Sequence, residues 1–238
     1  MAEQNIEDIG KEKLAQIAKS GAYVGARQEL VTDGVYVAFG YDVANSLCIE
    51  QESGLVIIDV LTDAVAAKHV CKEFQKLCKD KPIQSIIITH NHADHLLGID
   101  GFLSDQPNSS EIVLYAHQGI LSALNRTFVT CGGVMQPRNA RQFGMIMEAN
   151  LPRSLVESKQ WYLNSGIGPF LRSGHYHSDN KSHLNADPRH SLVDLNRFVL
   201  IEKDITIVDK KSGEKIDILC SPGETDDQVV HNSVFVII

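Results

Sequence analysis

In the stretch IIITHNHADHLLGID, residues 86–100, three histidines and an aspartate fall within six positions directly after an apolar run. Imidazole and carboxylate groups at that density are metal ligands by type. Residues two apart on an extended backbone face the same way, so His90, His92 and Asp94 can line one side of the strand exit. His95 opens the following turn and can swing toward the same space. Two imidazoles, His90 and His92, suit one zinc-like ion, and the Asp94 carboxylate with the His95 imidazole suits a second beside it. Asn91 faces the other way, and Ala93 keeps the loop slim. The chain has 10 histidines in 238 residues, so such a cluster calls for a chemical reason rather than chance.

The elements that must position these groups can be read from hydropathy. GVYVAFG (34–40), ANSLCIEQ (44–51) and GLVIIDV (54–60) read as short strands punctuated by Gly and Asp, which predicts an antiparallel meander. TDAVAAKHVCKEFQKLCKD reads as a helix with Val65, Val70, Phe74 and Leu77 near helical spacing and Thr62 or Asp63 as its cap. IQSIIITH is the strand that delivers the histidines, followed by a short helix through Leu96 and Leu97. EIVLYAH is another strand, leading to a helix near 118–129, with His117 expected to start that helix near the site. An opening helix is expected over residues 5–19. The end of the chain returns to β pattern, with DITIVDKKSGEKIDILCS as two strands around a KSGE turn and QVVHNSVFVII as a last strand carrying His231.

Residues 130–195 differ in composition, being rich in Gly, Ser, Asn and His, and are expected to be an insertion or helical extension over the site rather than a separate domain. The histidines of this stretch, His175, His177, His183 and His190, lack a strand or helix signal and read as exposed loop. Phe143, Met145, Met147 and Trp161 can pack a core or hold an alkyl chain, and Arg138 and Arg141 can face an anion or solvent.

A net charge of -8 argues against a nucleic-acid binder but leaves room for an anionic small molecule, because a metal can dominate the field of one cleft. Five cysteines, none in a close pair, fit reduced, core-packing thiols. The N-terminus has no signal-peptide pattern, and no apolar run reaches the roughly 18 residues of a membrane span. These features predict a soluble, cytoplasmic protein.

THNHADH resembles the HxHxDH signature of the metallo-β-lactamase superfamily, in the same setting between a buried strand and a short helix. GYDVANSLCIEQESGLVIID is similar to a stretch of the alkyl sulfatases, the branch that hydrolyses dodecyl sulfate-type surfactants, and RNARQFG, GIGP and SPGETDDQ follow in that family's order. The likeness runs from about residue 20 to 230. It implies an α+β fold, the αββα four-layer sandwich of that superfamily, as one domain over residues 1–238 that is incomplete on its C-terminal side and lacks the family's C-terminal domains. It makes Asp59 a residue behind the metal ligands that holds the histidine loop. Most superfamily members carry a further metal-binding histidine in a PGHT-type loop. Here Pro222, Gly223, Glu224 and Thr225 occupy it, and alkyl sulfatases resemble this chain in using a glutamate, in the order PGTE. Glu224 is therefore the expected carboxylate ligand of the first metal, with Asp226 as the alternative. The family's bridging acid and last histidine would lie beyond residue 238, which leaves the second metal with Asp94 and His95 from this chain.

The activity this resemblance implies is hydrolysis of an alkyl sulfate ester to an alcohol and sulfate, with water activated by two divalent ions, expected to be zinc. No side chain is assigned as general acid or base. The alternatives are hydrolysis of another ester on the same fold, or a non-catalytic partner of an intact paralogue; a homodimer is left open.

Overall fold

The structure is a computed structural model that describes residues 27–39, 41–42, 44–134, 137–138 and 195–232. The expected helix over 5–19, Arg141, the apolar residues at 143–161, the four histidines at 175–190 and nearly all of the 130–195 insertion lie outside them.

The meander is present and one strand longer than anticipated. β1 (Arg27–Thr32), β2 (Val35–Phe39), β3 (Ser46–Glu50) and β4 (Leu55–Ile58) pair antiparallel in chain order. β1 escapes a hydropathy reading because it is an edge strand. Its apolar Leu30 and Val31 are both exposed, so no alternation of faces marks it. Gly34, at φ 73, makes the turn into β2.

The pairing then becomes parallel. β5 (Ile83–Ile87), β6 (Val113–His117) and β7 (Phe198–Ile201) follow β4 in order and complete a sheet of seven strands. Parallel neighbours need crossovers, and helices supply them. α1 (Ala64–Leu77) joins β4 to β5, while α2 (Ala93–Leu96) and α3 (Ile99–Leu103) lie between β5 and β6. β6 is followed by α4 (Ile120–Leu124), which runs on into a π-helical turn over Asn125–Thr130. His117 is thus the last residue of a strand and does not start the helix, which begins three residues later. β7 was not anticipated: FVLI is short and exposes Val199 and Leu200, so it lacks an alternating signature.

The side chain of Asp63 caps α1 by accepting the Val65 N–H. The buried stripe of α1 is Ala66, Ala67, Val70, Cys71 and Phe74; Val65 and Leu77, expected on it, are exposed. Val65 sits five residues before Val70, about 140° off the stripe at 100° per residue. Phe74 is fully buried, and its loss to alanine would cost about 3–5 kcal/mol.

A second sheet holds β8 (Ile205–Val208), β9 (Lys215–Cys220) and β10 (Val229–Asn232), antiparallel in the order β10-β9-β8. The KSGE turn and the last strand fall where the sequence put them, and His231 lies on β10 opposite Ile218. The alternation of side chains along the large sheet builds two cores. Ala38, Cys48, Leu55, Ile57 and Ile86 face the helices, while Val35, Val37, Val56, Ile58 and Ile87 meet Ile216, Ile218 and Val229 of the small sheet. Helix, sheet and sheet are therefore three consecutive layers of the expected αββα sandwich.

This packing gives the loops their places. β4, β5 and β6 are parallel, so their C-terminal ends share one edge, and the β9–β10 loop reaches that edge from the second sheet. Val229 N–H donates to the Thr89 carbonyl at 2.8 Å and ties the two together.

Candidate metal centre

Each parallel strand hands a polar residue to this edge as it ends. β4 gives Asp59, held in the left-handed region at φ 57, a conformation few residues other than glycine adopt. The chain after β5 gives Thr89 and His90, and His92 precedes α2. Gly98 lets α3 press on the β4 exit: its N–H bonds the Leu61 carbonyl at 2.7 Å, and an added Cβ would lie 2.1 Å from the Val60 carbonyl oxygen.

Asp59 is 2% exposed and organises the cluster. Its Oδ1 accepts the Thr89 N–H at 2.8 Å, and its Oδ2 accepts the Thr89 hydroxyl at 2.8 Å and His95 Nδ1 at 2.6 Å. Because the Thr89 hydroxyl proton goes to Asp59, the Thr89 oxygen can only accept from His90 Nδ1, 2.9 Å away. That fixes the His90 proton on Nδ1 and leaves Nε2 a bare lone pair. Bonded to Asp59 through Nδ1, His95 likewise turns Nε2 outward, 3.6 Å from Asp94 Oδ2.

The electrostatics agree with this picture. Burial, reinforced by the neighbouring His95 and His92, lowers the His90 pKa, so the ring stays neutral as a metal ligand must. Burial opposes charge on His95 too, but its hydrogen bond to Asp59 and the charge behind that bond outweigh it, and the pKa is raised.

Glu224 arrives from the β9–β10 loop. Its Oε1 lies 3.2 Å from His92 Nδ1 and its Oε2 3.8 Å from His90 Nε2. Donor atoms of His90, His92 and Glu224 all fall within 4.8 Å of one another. Among the described residues, the buried side-chain polar atoms without a partner are His90 Nε2, Thr225 Oγ1 and Asp227 Oδ2, and all three belong to this junction. An orphaned imidazole lone pair, 3% exposed and facing a second imidazole and a carboxylate, is what a divalent cation requires, so the residues present fit one.

Of the residues singled out by sequence, His90, His92 and Glu224 come together; Asp94 and His95 stand beside them, with the His90 and His95 ring centroids 4.2 Å apart. Asp59 sits behind them. Asp226 is exposed and lies outside the three-residue cluster. Sequence reasoning missed Thr89, whose hydroxyl links Asp59 to His90, and the buried Asp227, which accepts from Asn91 Nδ2 at 2.6 Å. Thr89 had a signal of a kind, lying directly between the strand and the first histidine. Asp227 had none, since an acid in a TDD run looks like surface.

A fold and a site of this kind define a class, and comparison with known proteins gives the same class. The family model of the metallo-beta-lactamase superfamily matches residues 40–185, and the chain belongs to that superfamily. Over 145 residues, 60% of this chain and 21% of the relative, it is 30% identical to the alkyl/aryl-sulfatase BDS1 of Saccharomyces cerevisiae. It is 31% identical over 127 residues, 53% of this chain and 22% of the relative, to a linear primary-alkylsulfatase of Pseudomonas sp. (strain ATCC 19151). The chain thus spans about a fifth of the length of these relatives. Among solved structures, a double mutant of the sec-alkyl sulfatase PisA1 superposes with a TM-score of 0.61 at 24% identity, over 86% of this chain and 29% of that one. The αββα-type fold read from the sequence is the fold of this neighbour.

Proposed function

We propose that the chain carries the metal-binding half of an alkyl sulfatase active site and that the protein hydrolyses an alkyl sulfate ester to an alcohol and sulfate. The observation that supports this most is His90 Nε2, buried beside His92 and Glu224 and without a partner among the described residues. The first metal is assigned to His90, His92 and Glu224, and the second to Asp94 and His95, with zinc as the expected ion. Bound there, a divalent cation supplies Lewis acidity, which lowers the pKa of water and offsets the charge of a sulfate ester.

The chain's own side chains have separate tasks in this reading. His90 and His92 present neutral nitrogen donors, and Glu224, 62% exposed, is the arm that closes on them from the second sheet. Asp59 accepts hydrogen bonds from the Thr89 hydroxyl, which in turn accepts from His90 Nδ1, and from His95 Nδ1, and so keeps Nε2 of both His90 and His95 turned outward. An anionic substrate meets a chain of net charge -8, so its attraction has to be local, from the metal centre. Cys48, Cys71 and Cys78 are buried and all five cysteines are free, which supports placing the protein in a reducing compartment such as the cytoplasm. No described helix is long and apolar enough to cross a membrane.

The experiment is sulfate release from dodecyl sulfate by zinc-loaded protein, compared with chelator-treated protein and with His92→Ala. The reading expects release to be lost in both controls. Release that survives both, or its absence beside rapid hydrolysis of another ester, overturns the assignment.

A further inference from the structure

Glu224 is the one member of the three-residue cluster that comes from the other sheet, and it sits on an exposed loop. Something must hold that loop at the distance the donor atoms require. Among the described residues, two hydrogen bonds cross the gap. One is the backbone bond from Val229 N–H to the Thr89 carbonyl at 2.8 Å. The other is between side chains: Asn91 Nδ2, from between the two histidines, donates to Asp227 Oδ1 at 2.6 Å. Asn91 and Asp227 are 5% and 3% exposed, so water does not compete for this bond. Gly119 marks how closely a third loop approaches, since an added Cβ there would lie 3.2 Å from Asp227 Cβ and 3.0 Å from His117 Nδ1. Within the β9–β10 loop, Gln228 Oε1 accepts the Glu224 N–H at 2.6 Å and links Glu224 to the residue after Asp227.

A buried carboxylate with one oxygen lacking a partner is costly. Nothing in either core uses it, and among the described residues its one hydrogen bond runs to the residue flanked by His90 and His92. We infer that Asp227 is a positioning residue: through Asn91 it clamps the Glu224 loop to the histidine loop and sets the affinity of the three-residue centre for a divalent cation. This rests on the metal-site reading above but not on the sulfatase activity.

The test uses zinc alone, titrated into the full metal-free chain by calorimetry, with thermal melts of the metal-free proteins as a check on folding. Asp227→Ala and Asn91→Ala should each weaken zinc binding by about 10- to 100-fold, the usual effect of losing a group that orients a ligand. Asp227→Asn keeps the acceptor oxygen and should stay within a few-fold of the parent, whereas Asp227→Leu, which fills the same space without an acceptor, should weaken binding as Asp227→Ala does. Asn91→Ala decides the matter if Asp227→Ala does not fold. Parent-like zinc binding in a folded Asn91→Ala protein overturns the clamp, as does an Asp227→Asn loss equal to that of Asp227→Ala. His92→Ala separates the two readings. If it binds zinc as the parent does, the metal site itself is wrong; if it loses zinc while the clamp variants do not, only the clamp is wrong.

Discussion

The two ends of the parallel strands β4 and β5 are built on opposite terms. At their N-terminal ends the polar groups are matched: Lys81 Nζ lies 2.9 Å from Glu50 and donates to the Gln51 carbonyl at 2.8 Å, and the Tyr36 hydroxyl donates to Glu50. At their C-terminal ends the same strands deliver Asp59 in a left-handed conformation and an imidazole nitrogen with no partner among the described residues. One end is satisfied by the fold alone. The other leaves buried polar atoms unmatched among the described residues, and sites that break local rules in this way are where function is expected.

Removing the organiser of the unsatisfied end should have the largest effect. Asp59→Ala strips partners from two Thr89 donors and from His95, and should cost about 3 kcal/mol in urea denaturation while also weakening zinc binding. A loss below about 1 kcal/mol would mean that this end is no more tightly specified than the other. Gly98→Ala comes next. Its Cβ has no room against the Val60 carbonyl, so about 2 kcal/mol of destabilisation is expected from α3 being pushed off the β4 exit.

A pH series sharpens the contrast. In the metal-free protein the pKa of His95 is raised, so its bond to Asp59 adds stability that is complete below the unfolded histidine value, near 6.5, and fades as pH rises through the higher folded value. The stability gap between parent and His95→Gln should therefore be widest at low pH and should narrow as pH rises through the raised folded value. A gap that grows with pH would reverse the assignment of the charge. The smallest effect belongs to the satisfied end. Lys81→Met should cost about 0.5 kcal/mol near neutral pH and leave zinc binding untouched. Its bond with Lys81 lowers the Glu50 pKa, so this contribution is present above the usual glutamate value and disappears as pH falls through the lowered one.

What the sequence disclosed follows the same division. Strands β2 to β5 and helix α1 were legible because burial imposes a period on hydropathy, and the histidine cluster was legible because ligand-type residues stood together. β1 and β7 were hidden by being exposed on one or both faces. Val65 misled because an apolar residue in the first turn of a helix need not face the core. Asp227 and Thr89 were hidden for a different reason: their importance lies in partners distant in sequence or in a proton's direction, and neither leaves a spacing pattern. Glu224 was reachable only through resemblance to a family, since no local rule distinguishes it from Asp226.

The central claim is that this sheet edge grips a divalent cation between His90, His92 and Glu224. A crystal grown with zinc and measured at the zinc absorption edge tests it most directly. An anomalous peak is expected about 2.0–2.2 Å from a nitrogen of each histidine and an oxygen of Glu224. Strong zinc peaks elsewhere, with none between these three side chains, would contradict it.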